Sequence, residues 1–351
     1  MQAPVHHIVG LTSIVRERLL PVSGTVLARL NQKVSPTDVV AEATWSREHV
    51  LLNVAHQLHV RPEVADRLIK FNFKDMVPAN AEVAIGEGLF PRVVRAPREG
   101  RVAAVGGGQV LLEVGESKIE LRAGIPGTVI EIVPNRGVII QTAGALVQGI
   151  WGNGRIDSGL LVNIAEKPDG VLTADRLDVS LRGSIILAGM VKDAEALQAA
   201  AELPVRGLIL SSLYPSFIQL AREMRYPIVV TDGFGSMPMN SAAFRLLSTN
   251  AKRDVTVNAE VFDRYSGARP EVIITLPISS EPPAPREVET FAPGLQVRMR
   301  RPPAMGMIGV ISAIKPGLTT LPSGLHAHAA DVKLENGETV VVPLVNLEVV
   351  G

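Results

Sequence analysis

Short runs of Val, Ile and Leu, each cut by a glycine or proline, fill residues 1 to about 160 and set the architecture of that half of the chain. Such runs are strand-length and bounded by turn residues, which predicts a barrel or sandwich rather than a helical bundle. The pattern repeats weakly. Leu20-Pro21-Val22-Ser23-Gly24-Thr25-Val26 resembles Ala96-Pro97-Arg98-Glu99-Gly100-Arg101-Val102, and Ile125-Pro126-Gly127-Thr128-Val129 is a shortened copy. In each, a proline ends one strand and a glycine opens the next, so one turn is predicted three times. One helix interrupts at 61–69, with Pro62 in its first turn and apolar residues at 64, 65, 68 and 69.

The pattern changes between about 182 and 262, where apolar strands alternate with amphipathic helices. Strands are predicted at 184–189, 205–211, 226–231 and 254–261, and helices at 193–203, 215–225 and 240–247, the first capped by Asp193. Continuous apolar strands separated by helices predict a mostly parallel sheet with right-handed crossovers and helices on both faces. Glu281–Arg286 carries three prolines and reads as a semi-rigid linker. Three parts are therefore expected: a β-rich region over 1–165, a small α/β domain over 180–265 and a β-barrel over 288–351. In the last, Asn336-Gly337 between two apolar runs predicts a type I′ hairpin.

Composition limits the function classes. With 46% hydrophobic and 20% charged residues the chain has material for real cores, although aromatics are only 4%. Thirty-five basic residues balance 35 acidic ones, so contact with nucleic acid would have to be local. The absence of cysteine excludes disulfides, thiolate zinc sites and a cysteine nucleophile. The first residues lack a basic start followed by a long apolar block, and no apolar run is long enough to span a bilayer. The expectation is a cytoplasmic protein without a membrane partner.

Basic residues crowd the start of the last segment, at Arg298, Arg300 and Arg301, with Lys315 following. Gly294-Leu295-Gln296-Val297, Gly306-Met307-Ile308-Gly309-Val310-Ile311 and the closing Val342–Glu348 run resemble the KOW/SH3-like domains of transcription and translation factors. The likeness covers about one sixth of the chain, and its glycine–apolar–glycine core is a short motif. It implies an SH3-like barrel whose loop meets RNA, ribosomal protein or RNA polymerase. The four basic residues would then contact phosphate, for which the guanidinium fork is suited. A solvated rim, or packing of these residues against the chain's own middle domain, is the alternative.

The repeated turns of the N-terminal half resemble the barrel-sandwich hybrid fold of biotinyl and lipoyl domains. Lys118, followed by Pro126-Gly127, would be the modified residue of such a carrier. It lacks the Met pair of biotin carriers and the Asp-Lys-Ala of lipoyl carriers, so a scaffold without any cofactor is expected.

The α/β segment offers the loop Thr231-Asp232-Gly233-Phe234-Gly235-Ser236 at a strand end, where open parallel sheets gather ligands. Asp232, Gly233, Gly235 and Ser236 are the candidate ligand residues. The loop is neither a dinucleotide fingerprint nor a Walker loop, and it also reads as a tight turn. Ser211, Ser212 and Ser236 have no histidine in their own segment, so no nucleophile–base pairing is visible. His326, His328 and Asp331 read as barrel-loop residues, and Trp151, flanked by glycines, as packing at a barrel end. The preferred reading is a non-enzymatic multidomain binding or scaffold protein acting on nucleic acid or on a protein partner. A ligand-binding or enzymatic α/β core around Asp232, and a carrier using Lys118, are the alternatives.

Overall fold

The computed structural model describes residues 1–351 except Leu89, Arg264 and Ser266, and except the side chains of Pro4, Ser46, Arg47 and Glu116. The chain is β-rich and built from several sheets. Among the described residues no helix is long and apolar enough to cross a membrane.

The largest sheet joins the α/β segment to the N-terminal half. Strands Ile156–Asn163, Ile185–Leu187, Gly207–Leu213 and Ile228–Phe234 pair in parallel, in that order. Their side chains alternate between two cores. Ile186, Leu208, Leu210, Ile228 and Val230 face one, with helices Ala194–Glu202 and Ile218–Glu223. Ile185, Leu187, Ile209 and Val229 face the other, with helix Ser241–Thr249. The two-residue alternation of a strand makes both faces apolar, and this is why these strands read as unbroken hydrophobic runs. Asp193 caps the first helix by accepting from the Ala196 N–H, and Asn240 caps the last by accepting from Ala243.

On the far side, Ile156–Asn163 pairs with Asp254–Asn258 in antiparallel fashion, and Asp254–Asn258 pairs with Glu271–Thr275. The latter lies against Gly137–Gln148 of the N-terminal half. The last α/β strand is thus antiparallel and stops at Asn258. Pairing does not respect the sequence divisions at 165 and 180, because one sheet runs through both. Trp151 lies on an edge strand beside Val230, half-buried against the first core.

The N-terminal half extends a two-stranded ribbon. Val39–Asn53 and Gln109–Arg122 pair almost end to end. Beyond the ribbon lies a lobe with its own core of Val77, Val83, Val94, Val102, Val110 and Leu112 among others. Helix Pro62–Leu68 belongs to this lobe and has its proline in the first turn, as predicted. The thrice-predicted turn is present as a packing device. A Cβ on Gly24 would strike the Glu42 carbonyl oxygen, one on Gly100 that of Glu113, and one on Gly127 that of Gln141. Each glycine lets a strand begin against the backbone of its neighbour.

The C-terminal sheet orders its strands as Val288–Thr290, Gln2–His6, Leu347–Val350, Gln296–Met299, Ile308–Ile314, Ala329–Leu334 and Thr339–Pro343. The first residues of the chain belong here: Val5 pairs with Val349 and His6 with Val350. The hairpin at Asn336-Gly337 forms, with a different turn. Gly337 takes φ +89° while Asn336 stays at negative φ, and the Gly337 N–H returns to the Leu334 carbonyl. That is a type I turn closed by a left-handed glycine, where type I′ would need positive φ at both central residues.

Candidate functional site at the junction of the α/β sheet and the C-terminal sheet

Alternation along three neighbouring strands builds the junction. Ala3 and Val5, Val297 and Met299, and Leu347 and Val349 fill the C-terminal core. His6, which follows Val5, and Arg298 and Glu348, which lie between the members of the other two pairs, therefore project from the opposite face. Arg298 and Glu348 are direct cross-strand partners. The carboxyl end of the Ile228–Phe234 strand covers this polar patch. As a result Arg298 is only 5% exposed and His6 1%.

The Arg298 guanidinium is held on both sides. Its Nη2 and Nε donate to Glu348 Oε2 at 2.7 and 3.2 Å. Its Nη1 donates to Asp232 Oδ1 at 3.2 Å and to the Thr231 carbonyl at 3.3 Å. Asp232 also accepts from Thr231 Oγ1 at 2.7 Å and from Asn240 Nδ2 at 2.9 Å. Since Asn240 caps helix Ser241–Thr249, one carboxylate links that helix start to the C-terminal sheet. A second link joins Ser241 Oγ to Glu335 Oε1 at 2.7 Å.

Burial dominates the electrostatics. It pushes the Asp232 carboxyl up, with Arg298 and the bonds from Asn240 and Thr231 opposing. Burial also pushes Glu348 up, but His6 and the Arg298 guanidinium outweigh it, and the carboxyl sits below its ordinary value. Burial lowers His6 to about 3, with Arg298 adding to the effect. At neutral pH His6 is therefore uncharged, and the positive charge facing Glu348 comes from Arg298, with Arg300 adding to it. The His6 Nδ1 lies 3.9 Å from Glu348 Oε1, and neither ring nitrogen has a hydrogen-bond partner.

Two candidate sites from the sequence thus become one. Arg298, expected among the phosphate contacts, is turned inward onto Asp232, expected as a ligand residue. The other basic residues divide. Lys315 pairs with Asp331 at 2.8 Å and is half-buried. Arg300 and Arg301 are exposed, and neither side chain has a hydrogen-bond or ion-pair partner among the described residues. In the α/β loop, Gly235 takes φ +95° and Ser236 shares a 2.7 Å hydrogen bond with the Tyr214 hydroxyl. A Cβ on Gly233 would collide with the Met237 side chain. The loop is therefore shaped by packing, with its glycines allowing the turn and the close approach.

A cleft of about 470 Å³ opens beside the cluster. Asp232, Arg298 and Glu348 line it together with Phe262, Arg269, Arg300, Met237 and Met305, among others. Arg269 was not singled out by the sequence. Its guanidinium lies 5.5 Å from the Phe262 ring centroid, and it has no carboxylate partner among the described residues. The signal for the cluster was present all the same: Arg298 and Glu348 are lone opposite charges within otherwise apolar strands. Lys118 lies in the ribbon opposite Thr44, not at a hairpin tip, and pairs with Glu42 at 2.7 Å.

Compared with known families and curated proteins, the chain matches no family model and no curated sequence.

Proposed function

We propose that the chain is a non-enzymatic binding protein in which an SH3-like C-terminal barrel is fixed on the α/β segment and presents cations to single-stranded nucleic acid. In this reading the N-terminal half is a barrel-sandwich scaffold without a cofactor, and the protein works beside transcription or translation machinery.

The observation that carries the reading is the division of labour within one strand and its following loop. Arg298 is consumed by Asp232 and Glu348, which fixes the backbone that carries Arg300 and Arg301. Those two remain exposed, with no hydrogen bond or ion pair among the described residues, although Arg300 also acts on Glu348 through space. Guanidinium groups held on a fixed backbone bind phosphate at a smaller entropic cost than groups on a mobile tail. The neutral chain restricts the contact to this local patch.

Binding of a short single-stranded RNA, followed by fluorescence anisotropy across a salt series, tests this. Affinity should fall steeply with salt, and Arg300→Glu with Arg301→Glu should reduce the log–log slope by about 1–2 and leave the thermal midpoint in place. Absence of binding at low salt, or an unchanged slope in the variant, would sink the reading.

A further inference from the structure

The cleft beside the Arg298 cluster has a composition that phosphate contact alone does not need. Phe262 is 49% exposed in a chain with few aromatics, and it lines a concave surface with Met237 and Met305. The volume, about 470 Å³, falls within the ~300–1,000 Å³ of small-molecule sites. Of the three arginines at the cleft, Arg298 is neutralised by the two carboxylates. Arg269, which lies over the Phe262 ring, and Arg300, which also acts on Glu348 through space, have no hydrogen-bonded carboxylate among the described residues and can meet an incoming anion. Glu348 adds an acceptor, since both bonds from Arg298 fall on Oε2 and Oε1 accepts none among the described residues.

An apolar and aromatic wall, two unpaired guanidinium groups and one carboxylate acceptor together fit a flat heterocycle bearing a phosphate. We propose that the cleft receives one unpaired nucleotide of the bound strand. Its base stacks on Phe262 among the methionines, and its phosphate lies between Arg269 and Arg300. This rests on the nucleic-acid reading above and adds a base-dependent component to it. Stacking on an aromatic ring tolerates any base, because every base has a π face. The cleft thus accepts single strands without strong sequence preference. Paired bases are excluded, because their faces are already stacked in the duplex.

The test compares a short single-stranded RNA with an abasic ribose-phosphate strand of equal length, by anisotropy on the full chain. The base-bearing strand should bind about 10-fold tighter. Phe262→Ala should close most of that gap while leaving the salt slope unchanged, and Phe262→Trp should keep the gap or widen it. Arg269→Gln should weaken both strands. Equal binding of both strands by the wild-type chain would overturn the cleft proposal and leave the phosphate reading standing. A gap that persists in Phe262→Ala would overturn it too, as would tighter binding of duplex than of single-stranded RNA. Failure of both strands to bind at low salt would remove the two proposals together.

Discussion

The two small β modules of this chain are joined to its large sheet in opposite ways. The N-terminal lobe sits beyond a ribbon of two strands, whose described side chains from Thr44 to His49 and from Gly115 to Lys118 are exposed or half-buried. Among the described residues no core cluster bridges that stretch, so backbone pairing carries most of the connection, with surface contacts such as the Arg98–Glu48 ion pair beside it. The C-terminal sheet is fixed instead by a buried polar cluster, with Arg298 between Asp232 and Glu348 and with Ser241 on Glu335. A two-stranded ribbon is a marginal structure that bends at small cost. A buried charged cluster tolerates one geometry, because any displacement leaves a charge unpaired in a dry site. Rigidity is thus placed where the exposed arginines and the cleft are.

The largest predicted effect attacks the barrel junction. Arg298→Ala leaves Asp232 and Glu348 buried without their cation, and should cost about 3–5 kcal/mol in denaturant unfolding. A loss below about 1 kcal/mol would mean that the junction admits water and is no clamp.

The next effect concerns His6 and acid. The unfolded chain protonates His6 as pH falls through its ordinary value of 6.5, whereas the folded chain holds it neutral down to about 3. More protons are bound by the unfolded state in that window, so the contribution is intact above pH 6.5 and is lost as pH falls towards 3. Asp232, raised by burial, gains a proton more readily when folded and acts in the opposite sense. The difference between wild type and His6→Leu isolates the histidine. It should grow on acidification by up to ~1.4 kcal/mol per pH unit. At neutral pH the substitution should be nearly neutral, since it removes two ring nitrogens that have no partner. A difference that does not vary with pH would show that His6 is hydrated.

The smallest effect belongs to the ribbon. Lys118→Ala breaks an exposed, solvent-screened pair with Glu42 and should leave the denaturant midpoint where it is. A lowered midpoint would give the ribbon a rigidity like that of the barrel junction and erase the contrast.

Local features were legible in the sequence wherever the physics was local. Asp193 lies where a helix cap is needed, Pro62 sits in a first turn, and Gly24, Gly100 and Gly127 recur because a neighbouring carbonyl leaves no room for a Cβ. The alternation of strand and helix gave the parallel core. Long-range pairing was not legible. Gln2–His6 joins a strand at the other end of the chain, and a five-residue strand has no local mark of its partner. The same lack hid the single sheet that passes through Gly137–Gln148 and Asp254–Asn258. Arg298 was grouped with Arg300 and Arg301 as a phosphate contact, with packing against the middle segment as the alternative, and only its alternation with Val297 and Met299, opposite Glu348, marks it as covered on both sides.

A double-mutant cycle between Arg298→Ala and Asp232→Ala, read in unfolding free energy, tests the junction most directly. The two residues come from different sheets and meet only if the barrel is seated on the strand end as described. The clamp predicts a coupling energy of at least about 1.5 kcal/mol. Additive effects, with a coupling within about 0.5 kcal/mol of zero, would contradict it.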